Sequence, residues 1–117
     1  MIKVQVKRKT AGDIESVTIH GHAGYADPGQ DIVCAAVSGI SFGAINGIDR
    51  LLGVELPTEQ GKNGFLRCTI PQLDSGVHEK VQLLLDGMVA SLQSVALEYG
   101  KFVRVDDSKD NRRWISC

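Results

Sequence analysis

A strand-patterned run ends at His20 and a helix-patterned run begins near Ile32. The loop between them is broken at Gly24, Pro28 and Gly29. This joint constrains what the chain can fold into. The strand needs a partner, and a long amphipathic helix needs a sheet or another helix to cover. The joint also carries chemistry, with His20 and His22 at its start and Cys34 at its end. A thiol and an imidazole on the two sides of one loop can meet in space. That pair is the minimum equipment for nucleophilic catalysis by cysteine.

The rest of the chain reads in order around this joint. Ile2, Val4 and Val6 alternate with Lys3, Gln5 and Lys7, which predicts a half-buried strand. Residues 10–13 form a turn, and Val17 and Ile19 mark a second strand in a hairpin with the first. Asp31 is placed to cap the first helix, which runs from about Ile32 to Leu52 and ends at Gly53. Val33, Val37, Ile40, Ala44, Ile48 and Leu51 are its expected core face. Val54–Leu56 and Phe65–Ile70 read as strands three and four. Asp74 or Ser75 starts a second helix with a stripe through Val77, Val81, Leu84, Met88, Leu92, Val95 and Tyr99, closed by Gly100. Phe102–Val105 is a fifth strand, and from about residue 106 to 117 the chain is a polar tail in which Trp114 and Ile115 are potential anchors.

The predicted order is β-β-α-β-β-α-β in one domain over residues 1–117. Outward strand residues such as Lys3, Gln5, Ser16, Thr18, Arg67 and Arg104 are polar. One sheet face is then solvated, and both helices pack on the other face of a mixed sheet. That is a two-layer α/β (α+β) sandwich.

Composition excludes several functions. A net charge of -1 leaves no basic footprint for nucleic acid and no attraction to an anionic membrane surface. The alternating N-terminus is not a signal peptide, and no apolar run reads as long enough to span a bilayer. Three cysteines, an odd number without a C-x-x-C, argue against a disulfide framework and for a cytosolic protein.

Two features leave alternatives open. Ala35, Gly39, Gly43 and Gly47 recur every four residues on one helix face. Interior glycines weaken a helix by about 1 kcal/mol each unless something packs closely against them. Here that is the second helix or a second subunit. By strand parity His22 also falls on the face opposite Val17 and Ile19, unless the strand ends at Gly21.

Cys34 falls in the first helical turn, where the positive end of the helix favours thiolate. A nearby imidazolium adds to this and can protonate a leaving amine. A zinc-dependent hydrolase with His20, His22 and Cys34 as ligands is the rival reading. A non-catalytic binding module, in which the glycine-lined helix serves only assembly, is the third. Cys68 reads as core, Cys117 is terminal, and His78 reads as a surface residue.

The block Gly21-His22-Ala23-Gly24-Tyr25-Ala26, followed by Gly29-Gln30-Asp31-Ile32-Val33-Cys34-Ala35-Ala36-Val37-Ser38, strongly resembles the ribosomal-processing cysteine protease family, Prp. The resemblance implies a homodimeric cytosolic peptidase that needs no cofactor. Its implied substrate is the precursor of ribosomal protein L-twenty-seven, whose N-terminal extension is removed after a phenylalanine-rich motif. Carried over by motif position, His22 and Cys34 match the catalytic pair, and Asp31 and Ser38 match supporting polar positions. The loop from Ala23 to Gln30, with Gly24, Tyr25 and Gly29, is the expected flap over the peptide. Asp31 then has two candidate roles, capping the helix or orienting His22.

Overall fold

The computed structural model describes residues 1–109. The elements are β1 (Ile2–Arg8), β2 (Ile14–His20), α1 (Ile32–Leu52), β3 (Thr58–Gln60), β4 (Leu66–Thr69), α2 (Ser75–Glu98) and β5 (Val103–Asp107). They form one five-stranded mixed sheet in the order β3-β4-β2-β1-β5. Only the β1·β5 pair is parallel, with Ile2 opposite Val103 and Val6 opposite Asp107. The predicted order and the two-layer class hold.

Alternation sets the core. Ile2, Val4 and Val6 of β1, Val17 and Ile19 of β2, and Leu66 and Cys68 of β4 are buried, and their odd-face neighbours are more open. Val33, Val37 and Ile48 of α1 close on that face, as do Val81, Leu85, Met88, Val89 and Leu92 of α2. Among the described residues two polar side chains, Ser41 and Gln82, are buried with them. Gln82 donates to the Ile14 carbonyl at 2.9 Å and accepts the Ile14 amide at 2.8 Å. It thereby satisfies backbone groups where the β1·β2 register shifts. Arg8 reaches Asp107 at 2.8 Å and Asp86 at 2.9 Å, joining the ends of the sheet to α2.

Several expectations are corrected. Val54–Leu56 is not a strand; β3 starts after Pro57, whose carbonyl takes the Thr69 amide at 3.0 Å. Leu51 is 72% exposed; in that last turn Ile48 and Leu52 are the residues that pack on the core. Asp74 holds the N-cap position of α2 without a side-chain cap bond. The same helix ends on Tyr99 rather than on a left-handed Gly100. β5 extends to Asp107, so the polar tail begins later than residue 106. Trp114, Ile115 and Cys117 lie outside the described residues. Among the described residues α1 is long and apolar enough to cross a membrane by length and composition, contrary to the sequence reading. Here its Val33, Val37 and Ile48 are part of the core. His78 is half-buried rather than on the surface and meets Asp13 at 2.9 Å.

The glycine stripe is decided in one respect. A side chain at Gly39, Gly43 or Gly47 would meet nothing within 4 Å. These glycines therefore do not serve packing against α2.

Candidate active site

β2 stops at His20, and the parity conflict dissolves at the next residue. Gly21 has φ 95°, a left-handed value, and its amide donates to the Asn63 carbonyl at 2.7 Å. A side chain there would collide with the carbonyl oxygen of Met1. Gly64, with φ 67°, approaches from the other side, where a Cβ would lie 2.6 Å from the Gly21 carbonyl oxygen. Two glycines back to back let the chain turn sharply, and His22 leaves the strand's outer face for the mouth of a cleft.

Asp31 organises the other shore. It is the N-cap of α1, and its Oδ1 accepts the Val33 and Cys34 amides, both at 3.0 Å. Its Oδ2 accepts the Tyr25 amide at 3.1 Å and the Ala26 amide at 3.5 Å. One carboxylate thus ties the loop to the helix that carries Cys34. The Cys34 amide leads the hydrogen bonds that hold this carboxyl below the ordinary value of 3.8, with Tyr25, Ala26 and the Cys34 side chain contributing. Capping is the role the structure gives Asp31.

The sign of the pH effect follows. A carboxylate with a depressed folded pKa contributes stability that is fully present above its unfolded value and lost as pH falls through the folded one. Asp31→Ala should lower Tm relative to the parent at neutral pH. The gap should close on acidification below 3.8. Thermal melts of the two proteins from pH 7 to pH 3 check this, and a gap that is absent at pH 7 would refute it.

Cys34 is half-buried, and its Sγ accepts the Ala23 amide at 3.4 Å. It lies between two cavities, and His22, Cys34 and Ser38 line both. The first, of about 260 Å³, continues over Ile2, Ile19, Val37, Ser41, Phe42 and Phe65. The second, of about 490 Å³, lies under the flap against Gly24, Ala26, Pro28 and Gly29. A chain threaded through both would cross the sulfur. Gly24 and Gly29 have φ 71° and 85°, and both line the flap cavity. Tyr25 is the exception among the expected flap residues: it lines neither cavity, and its ring lies against Tyr99 and Phe102.

His20 stays in the β1·β2 ladder opposite Lys3. Among the described residues no three His, Cys, Asp or Glu side chains are grouped as a metal site requires, so His20, His22 and Cys34 are not an assembled ligand set. Cys68 is 1% exposed, and burial pushes its thiol pKa up, which is the setting of an inert core cysteine.

Sequence reasoning missed two parts of the cleft. Gln60, Gly61, Gly64 and Phe65 of the β3–β4 hairpin form a wall of the first cavity. Ser41, 2% exposed, lies on that cavity's floor and donates to the Val37 carbonyl at 2.7 Å. Its place four residues after Val37 on the core stripe was the available signal.

The family model described as "Cysteine protease Prp" matches residues 1–104. The chain belongs to the Prp cysteine protease family. It is 36% identical over 107 residues to the ribosomal processing cysteine protease Prp of Bacillus subtilis (strain 168), covering 90% of this chain and 96% of the relative. The Prp of Staphylococcus aureus (strain Mu50 / ATCC 700699) is 32% identical over 106 residues, with 91% and 98% covered. The crystal structure of an S. aureus Prp with a covalently linked product peptide superposes with a TM-score of 0.83 at 30% identity, covering 91% of this chain and 98% of that one. A second S. aureus Prp structure holds a substrate peptide, with a TM-score of 0.76 at 29% identity and the same coverage. The protein is therefore a cysteine-type peptidase, and the reading as a non-catalytic module falls away.

Proposed function

We propose that the protein removes the N-terminal extension of the precursor of ribosomal protein L-twenty-seven, with Cys34 as nucleophile and His22 as its acid–base partner. One observation carries this: Cys34 and His22 face the same two cavities, on the two sides of a single sulfur. The product peptide covalently linked to the S. aureus relative supports a covalent route, and the ribosomal-processing name of the relatives supports the substrate class.

In this reaction the Cys34 thiolate attacks the scissile carbonyl. A carbon–sulfur bond forms and the oxygen takes up negative charge. Amides of the glycine loop stabilise that oxyanion, because the Cys34 amide is already engaged by Asp31. The carbon–nitrogen bond breaks as His22 protonates the departing amine. Water, giving its proton to His22, then cleaves the thioester and frees the thiolate. Ser38 borders both cavities, on the path a bound peptide would take. The side chains of Ile2, Val37, Phe42 and Phe65 on the wall of the first cavity suit a phenylalanine-type side chain next to the scissile bond.

Incubation with a synthetic peptide spanning the L-twenty-seven extension, followed by mass analysis, tests the proposal. One cut after the phenylalanine-rich motif is the expected result. An intact peptide under reducing conditions would overturn it.

The same reading makes the protein a cytoplasmic homodimer. The open stripe of Gly39, Gly43 and Gly47 supports this, since nothing among the described residues uses the close approach it permits. Gly43→Leu would fit inside one subunit, so the fold should survive while dimerisation weakens roughly tenfold or more. Sedimentation equilibrium of both proteins decides the point; a wild type that stays monomeric at high concentration refutes it.

A further inference from the structure

We propose that Tyr99 and Phe102 are positioning residues for the reaction: they form a seat that holds Tyr25, and through it the flap, where the flap builds the larger cavity. The Tyr25 ring meets Phe102 edge-on at 5.3 Å between centroids and 81° between planes. It meets Tyr99 at 6.0 Å and 83°. These are favoured aromatic geometries. Tyr25 is 44% exposed, so its ring is docked on the seat rather than sunk in the core.

The seat is firm. The Phe102 amide donates to the Tyr99 carbonyl at 2.8 Å, and the Phe102 carbonyl accepts the Ile2 amide at 2.8 Å. Both rings pack against the core. The flap's other hydrogen bonds are the Ala23 amide on Cys34 Sγ, the Tyr25 and Ala26 amides on Asp31 and, within the loop, the Gln30 amide on the Asp27 carbonyl. Gly24 and Gly29 flank the aromatic anchor with no neighbour near their Cβ positions. Gly24 and Ala26, on either side of Tyr25, line the cavity, and Tyr25 itself points to the seat. The ring therefore fixes from behind the wall that the peptide touches in front. Tyr99 and Phe102 line neither cavity, so they act through Tyr25 alone.

The inference rests on Cys34 as the nucleophile, and its test separates the two. Peptide cleavage is measured for the wild type, Tyr25→Ala, Tyr25→Phe, Phe102→Leu and the double variant Tyr25→Ala/Phe102→Leu. Tyr25→Ala should raise KM roughly five- to tenfold, with the effect in KM rather than kcat. Tyr25→Phe keeps the ring and should restore the parental KM. Phe102→Leu should raise KM in the parent and add nothing in the Tyr25→Ala background. An unchanged or lowered KM in Tyr25→Ala, or fully additive effects, would overturn the seat. Tyr25→Ala removes a half-exposed loop side chain, so the test stands even where Phe102→Leu unfolds. Should no protein cleave the peptide, the proposed function fails. The seat is then judged by the NMR shifts of the Tyr25 ring, which Tyr99→Leu must move and which, left unmoved, refute it.

Discussion

Cys34→Ser should abolish peptide cleavage, by on the order of 10⁴-fold or more in kcat, and leave the melting temperature close to that of the parent. A serine hydroxyl beside an imidazole is far less acidic than a thiol, and nothing else in the cleft replaces the lost nucleophile. The fold tolerates the change because Cys34 is half-buried and a hydroxyl can accept the Ala23 amide as the sulfur does. Cys68→Ser is the matching control. Cys68 sits on the inner face of β4 opposite Val17, and a hydroxyl there costs stability, about 1–3 kcal/mol, with cleavage retained. Steady-state kinetics and thermal melts of both variants read the outcome. Near-normal turnover in Cys34→Ser would show that the sulfur does not form the covalent bond.

Gly21→Ala should be nearly as damaging although Gly21 contributes no functional group. The left-handed backbone alone costs an L-residue about 1–3 kcal/mol. The methyl would also press on the Met1 carbonyl, which belongs to backbone and cannot swing aside. Relief requires β2 and β1 to move apart at the point where His22 is launched into the cleft. A displacement of about 1 Å at a catalytic group can cost 10²-fold. We expect kcat/KM to fall about 100-fold or more, and Tm to fall by roughly 4 °C for each kcal/mol lost. Activity within twofold of the parent would show that His22 is positioned by something other than this turn. Gly43→Leu, on the open face of α1, supplies the contrast: a larger side chain at a glycine that meets nothing among the described residues.

The difference between those glycines marks what was legible in the sequence. Alternation in β1 and β2 and the helical stripes of α1 and α2 were readable because burial imposes a period on them. The loop motif was readable because its residues are the chemistry itself. β3 was not, since Thr58, Glu59 and Gln60 are all exposed on an edge strand and carry no period. Its loss hid the hairpin wall of the first cavity, which is brought to Cys34 by the pairing of β4 with β2 and by the Gly21–Asn63 hydrogen bond. Gln82 and Ser41 were hidden for a different reason. A polar residue on a core stripe looks like an error until its backbone partner is located, and those of Gln82 lie 68 residues away. The glycine stripe announced a close approach without saying to what, and parity could flag His22 without revealing how Gly21 resolves it.

The parallel pairing of β1 with β5 has a consequence for how the enzyme comes into being. Ile2, a wall of the first cavity, is held by Phe102 and Val103, and Arg8 closes on Asp107 across 99 positions of chain. Contacts of such separation form late, because the entropy of closing the loop is spent before they return anything. The hairpin, α1 and Cys34 leave the ribosome well ahead of β5, which holds Ile2 in place. A nascent chain thus carries Cys34 and His22 before Ile2, one wall of the first cavity, has the strand that fixes it.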